Sequence, residues 1–398
     1  MLRRLFPSTT VAKRLVPLYV AAFFQGFVLW YAIEKLFMRS IGFNDAGIGV
    51  ATAAYSALLI LVETPSGILA DRWSRKGVLI LGSLMLALSS LVCGISTNHI
   101  VFIIGTLLWG VYFAMYSGTY DSIVYDTLIE EKEDIGLYDK YYGYVRFYDS
   151  IALTLGSLIG GALSHFGLRG VFLWTIPLAT ASIIALLFFK EPKVHKSEPL
   201  GKVTEHVTET FKAVLGKKSL IALLATLVCA SLVMEILFDF YQLWLLAIGT
   251  KSEIYGIASA TLTLSLGAAG LIAVKVHKRH TATLLAVISV IIGSTLLMFS
   301  KHAALIMAAQ LAIGVGATVL SILFTKDLHD TLPSRIRAGA SSAVNTLSRI
   351  IFVPVSLIFG AVSAHASIFT ACGILVAVGV LTLICERLFT LRRKIIAA

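Results

Sequence analysis

Residues 67–76 read GILADRWSRK, four charges crowded into six positions of a chain that is otherwise close to pure hydrocarbon. The arrangement returns 203 positions later, where residues 270–279 read GLIAVKVHKR. Gly67 meets Gly270, Ala70 meets Ala273, and Arg72, Arg75 and Lys76 meet Lys275, Lys278 and Arg279. Asp71 has no charged counterpart, because Val274 stands in its place. A charged loop that recurs once per half marks an internal repeat with one acid kept in one copy.

The sequence on either side of these loops sets the fold class. The chain has 398 residues, 58% of them hydrophobic and 14% charged, with mean hydropathy +0.88. Soluble domains carry about 25% charged residues. Here apolar runs long enough to cross a bilayer as helices follow one another along the whole length. They are continuous rather than alternating, which predicts helices and not barrel strands. Twelve spans are expected, at 15–38, 46–70, 77–97, 99–128, 138–164, 169–190, 217–248, 253–274, 281–300, 302–325, 336–363 and 366–389. The longest polar stretch, 191–216, separates six from six. The expected organisation is an N-terminal bundle at 1–190, a linker at 191–216 and a C-terminal bundle at 217–398. In the linker Val203, Val207, Phe211, Val214 and Leu215 recur at helical spacing, which predicts a short amphipathic helix on the membrane surface.

The formal net charge of +11 does not point to nucleic acid. With both termini placed in the cytoplasm, the external loops hold only Arg39, Arg169, Lys251 and Lys301. Lys35, Arg146 and Arg349 fall within spans, and every other Lys and Arg lies inside, as the positive-inside rule requires. The chain is therefore expected in the plasma (inner) membrane, in contact with lipid. Four cysteines, Cys93, Cys229, Cys372 and Cys385, are scattered through apolar spans with no CxxC pair. Neither a metal site nor a disulfide framework is indicated. The basic start leads into a first span too long for a cleaved signal, so that span is expected to stay as an anchor.

Six spans repeated in parallel are a transporter architecture. The chain resembles the major facilitator superfamily, in span count, in its central split and in Gly67, Ala70, Asp71, Arg72, Arg75 and Lys76. These residues are similar to that family's signature between spans two and three, with Ser74 replacing a usual Gly. The resemblance implies that Gly67, Asp71, Arg72, Arg75 and Lys76 form a cytoplasmic gate. In it Asp71 latches onto the start of span eleven, where a helix N-terminus favours a carboxylate by about 0.3–1 kcal/mol. It also implies a monomer. GSLIGG at 156–161 is similar to a motif of drug-exporting members, with Ser157 where Pro is usual. Small residues there also suit close helix packing.

Ionisable groups at membrane depth cost at least about 2.5–3.5 kcal/mol, so each is a functional suspect. Glu63, Asp121, Arg146 and Asp149 all fall roughly 10–15 Å from the inner surface, at 1.5 Å per residue, which allows a charge network within the N-terminal half. Three acids and one Arg leave an acid under-paired and available to carry a proton. Asp126, one turn from its span end, is expected to be interfacial. Arg349 has no acid at its own depth, so it is expected to meet an anionic substrate or an acid of the other half. Glu235 and Asp239, four apart in span seven, share a face and complete the set of candidate proton carriers. Glu34 and Lys35, at the end of span one, are expected to snorkel to headgroups, with Glu34 also a candidate for the outer end of the cavity.

Aromatic side chains surround the expected cavity. Trp30 and Tyr31 lie in span one, Tyr116 and Tyr120 in span four, and Phe238 and Tyr241 in span seven. Aromatic faces beside acids suit amphipathic cations and also sugar rings. Gln25 and Gln310, polar and near mid-span, each need a partner in lipid.

Enzyme chemistry is not indicated. GKKS at 216–219 lacks the Gly of a phosphate-binding loop, and neither HExxH nor GxSxG occurs. No cofactor is expected. The expected function is secondary transport by alternating access, with proton-coupled efflux of a small amphipathic molecule ahead of uptake of a sugar, organic acid or nucleoside. A membrane sensor that moves nothing is the remote third reading.

Overall fold

A computed structural model describes residues 10–193, 220–276, 279–332 and 337–397. Among these residues the chain is helical and forms no β-strand. The expected amphipathic helix of the linker lies outside the described residues.

In the N-terminal half the helices are α1 (Thr10–Gly26), α2 (Glu34–Ser40), α3 (Asp45–Arg72), α4 (Arg75–Ile95), α5 (His99–Tyr116), α6 (Thr119–Glu130), α7 (Tyr138–Leu163) and α8 (Leu168–Phe188). The C-terminal half holds α9 (Ile221–Ala247), α10 (Ser252–Val274), α11 (Arg279–Phe299), α12 (Ala303–Thr331), α13 (Arg337–His365) and α14 (Ile368–Ala397). The repeat persists in three dimensions: α11 starts 204 residues after α4, and α12 starts 204 residues after α5. Helix starts are fixed by local chemistry. The Ser74 hydroxyl accepts from the Gly77 N–H at α4, and Asn98 accepts from the Val101 N–H at α5, each satisfying a donor that a helix N-terminus leaves free.

Among the described residues eleven segments are long and apolar enough to cross a membrane. The remaining long helix, α7, has 26 residues, but Asp139, Lys140, Arg146 and Asp149 make its first half polar. Two expected spans are broken. The first stops at Gly26 and resumes as a single 3₁₀ turn at Leu29–Ala32, and the fourth is interrupted at Ser117–Gly118 between α5 and α6. Gly118 adopts φ +77°, a left-handed conformation that costs other L-residues about 1–2 kcal/mol.

The described residues fall into two compact units, and the division does not simply follow the chain. One unit draws on Met1–Gly42, Ala54–Ser197 and Lys251–Ala260, the other on Phe43–Ala53, Glu198–Thr250 and Thr261–Ala398. The start of α10 belongs with the first unit, where the Ser157 and Ser259 hydroxyls share a hydrogen bond of 2.8 Å. The start of α3 belongs with the second, where the Ser363 hydroxyl donates to Asp45 at 2.5 Å. Each unit has its own apolar core. In the first, Leu15, Leu18, Ile123, Val124, Leu128 and Val145 are fully enclosed. In the second, Leu223, Val287, Leu320, Phe324 and Leu328 fill the corresponding place. Within GSLIGG, Gly160 faces the Leu29 backbone so closely that a Cβ there would overlap the Leu29 carbonyl. Gly156 and Gly160 pack α7 against the broken first span, while Ser157 and Gly161 pack it against the start of α10.

Candidate functional site

In the first unit the polar centre gathers where the two broken spans stop. Gln25, in the last turn of α1, is 1% exposed. Its amide donates to the Ser83 hydroxyl at 2.6 Å and to the Leu79 carbonyl at 3.4 Å, and its oxygen accepts from the Tyr120 hydroxyl at 2.7 Å. Tyr112 donates to the Gln25 carbonyl at 3.4 Å, and Ser182 donates to Ser83 at 2.8 Å. One glutamine thus ties together α1, α4, α5, α6 and, through Ser83, α8. Tyr112, Tyr116 and Tyr120 form a ladder with ring separations of 5.9 and 5.1 Å that passes the Gly118 break.

Beside this ladder Arg146 and Asp149 of α7 form an ion pair at 3.5 Å. Arg146 also donates to the Tyr116 hydroxyl at 3.5 Å. The Arg146 side chain is 51% exposed, whereas that of Asp149 is 17% exposed. Asp149 lies against the end of α1, since a Cβ on Gly26 would come within 2.7 Å of its carboxylate oxygen. Of the four groups that the sequence placed at one depth, the fold pairs Arg146 with Asp149, and it adds the α1 break and Tyr116. Asp121 sits apart in the first turn of α6, where it accepts from the Ser122 N–H at 2.6 Å. A carboxylate at a helix N-terminus is favoured by the dipole. Glu63 is half-buried on α3, and its carbonyl accepts from the Ser66 hydroxyl.

Toward the other end of the first span, Trp30 is 3% exposed, stacks on Phe172 at 5.3 Å and donates to the Ser90 hydroxyl. Tyr31 is half-buried. The expectation that Glu34 and Lys35 snorkel to headgroups is corrected here. Glu34 opens the separate helix α2, and Lys35 is buried and paired with it at 2.7 Å. The break in the span turns both side chains into the unit, where an unpaired ammonium would be costly.

The second unit has its own charged group. Glu235 and Asp239, on α9, are both half-buried. Arg349 of α13 acts on Glu235 electrostatically, as does Asp239. Arg349, expected to meet an anionic substrate or an acid of the other half, lies on α13, which packs against α9 within this unit. One Glu235 carboxylate oxygen is buried and accepts no hydrogen bond among the described residues. Gln310, 1% exposed, donates to the Tyr241 carbonyl at 3.0 Å, while its own oxygen has no partner among them. Tyr241 is buried and Phe238 half-buried.

The 67–76 loop forms a third cluster, within the first unit. Arg75 pairs with Asp126 of α6, and with Asp71 at 3.1 Å. Asp126, expected to be interfacial, is thus also an ion-pair partner. Asp71 is 50% exposed on its side chain, Arg72 is exposed, and a Cβ at Gly67 would meet nothing within 4 Å. Glu191, which the sequence did not single out, accepts from the Ser74 hydroxyl at 2.6 Å and from the N–H groups of Arg75 and Lys76 at 2.6 and 3.2 Å. It caps α4 with a full charge. Lys76 donates to the Leu187 and Phe189 carbonyls at the end of α8. Arg14 pairs with Glu130 and Glu131 at 3.3 and 2.5 Å. The second unit repeats the central element, with Arg279 at the start of α11 paired to Asp327 of α12. Asp327 lies two positions before the repeat partner of Asp126, a near-match that the sequence offers only once the loop is known to be paired.

Long apolar helices in two repeated sets, each with ionisable groups at mid-helix, define an integral membrane transporter. The chain belongs to the Major Facilitator Superfamily, whose family model matches residues 15–355. It is a transporter of that family and not an enzyme. It is 26% identical over 188 residues to the Multidrug resistance protein 2 of Bacillus subtilis (strain 168), a match that covers 47% of this chain and 45% of that one. Over 310 residues it is 24% identical to the class H Tetracycline resistance protein of Pasteurella multocida, covering 75% of each. In fold it is similar to the crystal structure of the nucleoside transporter NupG, at TM-score 0.77 and 15% identity, covering 97% of this chain and 100% of that one.

Proposed function

We propose that this transporter exports a small amphipathic molecule, cationic in character, in exchange for protons. It would work by alternating access between its two six-helix halves, as a monomer in the inner membrane with both termini in the cytoplasm. The observation that carries the reading is the mid-helix charge on α7 and α9. In the first unit Arg146 pairs with Asp149, and in the second Glu235 and Asp239 lie four apart on α9, with one Glu235 oxygen buried and without a hydrogen bond among the described residues. Carboxylates at such depth, with tyrosine rings nearby, suit a cation or protons in alternation. The resistance proteins among the relatives support export, and the match to the Bacillus subtilis protein spans less than half of its length.

Asp71 fits the role of a releasable latch. Its exposed carboxylate is held by a single i,i+4 pair to Arg75, a type of contact worth only about 0.3–0.5 kcal/mol. The domain boundaries expected from the sequence, with hinges in 191–216, belong to the same proposal.

The test uses protein reconstituted into vesicles with an acidic lumen and ethidium outside. A permanent cation is not driven inward by a pH gradient alone. We expect ethidium to accumulate, to leak out when nigericin collapses the gradient, and to stay outside vesicles carrying Asp149→Asn. No ethidium movement, together with proton-driven uptake of a nucleoside or pentose, would overturn the export reading.

A further inference from the structure

Between α11 and α12 an apolar groove of about 570 Å³ opens on the surface of the second unit. Its rims are exposed: Leu285, Ile292, Leu296 and Leu305 are each more than half accessible, and Phe299 is 77% accessible. Its floor is made of small residues, Gly293, Ala309 and Ala312. The two helices are nearly touching there, since a Cβ on Gly293 would press on Ile313 and on the Ala309 carbonyl. From Leu285 to Phe299 the groove runs about 21 Å along the helix axis at 1.5 Å per residue. That exceeds the hydrocarbon depth of one leaflet, about 15 Å.

The groove has a polar end. Ser300 lines it, is 8% exposed, and its buried hydroxyl has no hydrogen-bond partner among the described residues. Lys301 and His302 follow in the connection to α12, both exposed. A buried hydroxyl without a partner costs roughly 1–3 kcal/mol, and a membrane surface offers ester and phosphate oxygens to relieve it. The surrounding helices span the bilayer, so hydrocarbon must fill the groove; the Lys301 ammonium at one end says which lipid suits it.

We propose that the groove is a binding site for an anionic phospholipid, with one acyl chain lying between α11 and α12. The glycerol ester accepts the Ser300 hydroxyl, and the phosphate faces Lys301 and His302. This site is separate from the charged groups of α9 and α13, and it does not depend on what the protein transports.

The full chain, stripped of lipid in detergent, is titrated with palmitoyl-oleoyl phosphatidylglycerol or with the phosphatidylcholine of the same chains, and bound lipid is counted by native mass spectrometry. We expect at least fivefold tighter binding of the phosphatidylglycerol. Ala308→Trp, at an exposed position of the lining, should reduce its binding at least fivefold. Lys301→Ala should erase the headgroup preference while an acyl chain still binds, and Ser300→Ala should weaken both lipids alike. Ile184→Trp, on exposed α8, should change nothing. Equal binding of the two lipids by the parent protein, or equal losses in Ala308→Trp and Ile184→Trp, would overturn the site. So would a dimer that Ala308→Trp splits, because a second copy would then cover the face. Should Ala308→Trp not fold, the parent is photolabelled with phosphatidylglycerol carrying a diazirine in one chain. Adducts concentrated in residues 285–312 are expected, and adducts spread evenly over the spans would refute the proposal.

Discussion

Replacing Gln25 with Leu tests whether the polar knot at the end of α1 holds the first unit together. Gln25→Leu keeps approximate volume and removes two short side-chain hydrogen bonds, to Ser83 at 2.6 Å and from Tyr120 at 2.7 Å. Ser83 keeps alternatives, because it still donates to the Leu79 carbonyl and accepts from Ser182. The Tyr120 hydroxyl, in a residue 2% exposed, loses the acceptor it has. Interhelical hydrogen bonds in membranes average about 0.6 kcal/mol and reach about 1.7. Two of them therefore give about 1–3 kcal/mol of destabilisation, or roughly a five- to hundredfold change in the unfolding equilibrium. The informative measurement is a cycle with Tyr120→Phe, followed by SDS-induced unfolding in mixed micelles. Removing both partners leaves no orphaned hydroxyl, so the double variant should be less destabilised than the sum of the singles by about 0.5–1.5 kcal/mol. Additive losses, with no coupling, would refute the claim that these two side chains satisfy one another.

Three further outcomes follow from the same reasoning. Arg75→Ala strands the Asp126 carboxylate and should lower stability by about 1–3 kcal/mol. Arg75→Ala/Asp126→Ala should recover part of that loss in the same unfolding assay, and Arg279→Ala with Asp327→Ala should behave alike in the second half. Lys35→Met leaves Glu34 as an unpaired acid in a mostly enclosed site, so it should lower the melting temperature more than Glu34→Gln/Lys35→Met does. A surface snorkelling role would make the two melts equal. Gly118→Val forces a β-branched residue into φ +77° and should cost about 1–3 kcal/mol, whereas Ser117→Ala, beside it and exposed, should be nearly silent in a thermal melt.

Helix positions were legible in the sequence because lipid leaves a long apolar run few alternatives. The α10 and α11 boundaries fall within two residues of expectation, and the loop signature placed the repeat. Breaks inside spans were not legible. Ser117 and Gly118 carry no charge, and one glycine within an apolar run is unremarkable until its φ is known. Around Gly26 the signal was weaker still, since the run FVLW that follows is as hydrophobic as the helix before it. The polar side chains at membrane depth, Arg146, Asp149, Glu235 and Gln25 among them, were legible because such groups are rare in an apolar run. Their partners were not. Arg75 and Asp126 are 51 residues apart, and Arg75 and Glu191 are 116 apart. Such pairings exist only after six helices have closed on one another. Glu191 was passed over because it falls just outside the last apolar run, where charge is ordinary.

The ionic clamp at the 67–76 loop also bears on how the chain is made. Several of its long-range ties wait for residues 187–193: Glu191 for the α4 start, the Leu187 and Phe189 carbonyls for Lys76, the Lys190 carbonyl for Arg14 and the Lys193 N–H for Glu130. Until the ribosome has passed that segment, the basic loop has only Asp71, Asp126 and the Glu130–Glu131 pair for company. Completion of the sixth helix is thus the moment at which the first half locks its own end. The second half carries a separate lock in Arg279 and Asp327, so each half closes its own charged loop. Two fragments divided between residues 193 and 220 are expected to reconstitute when co-expressed.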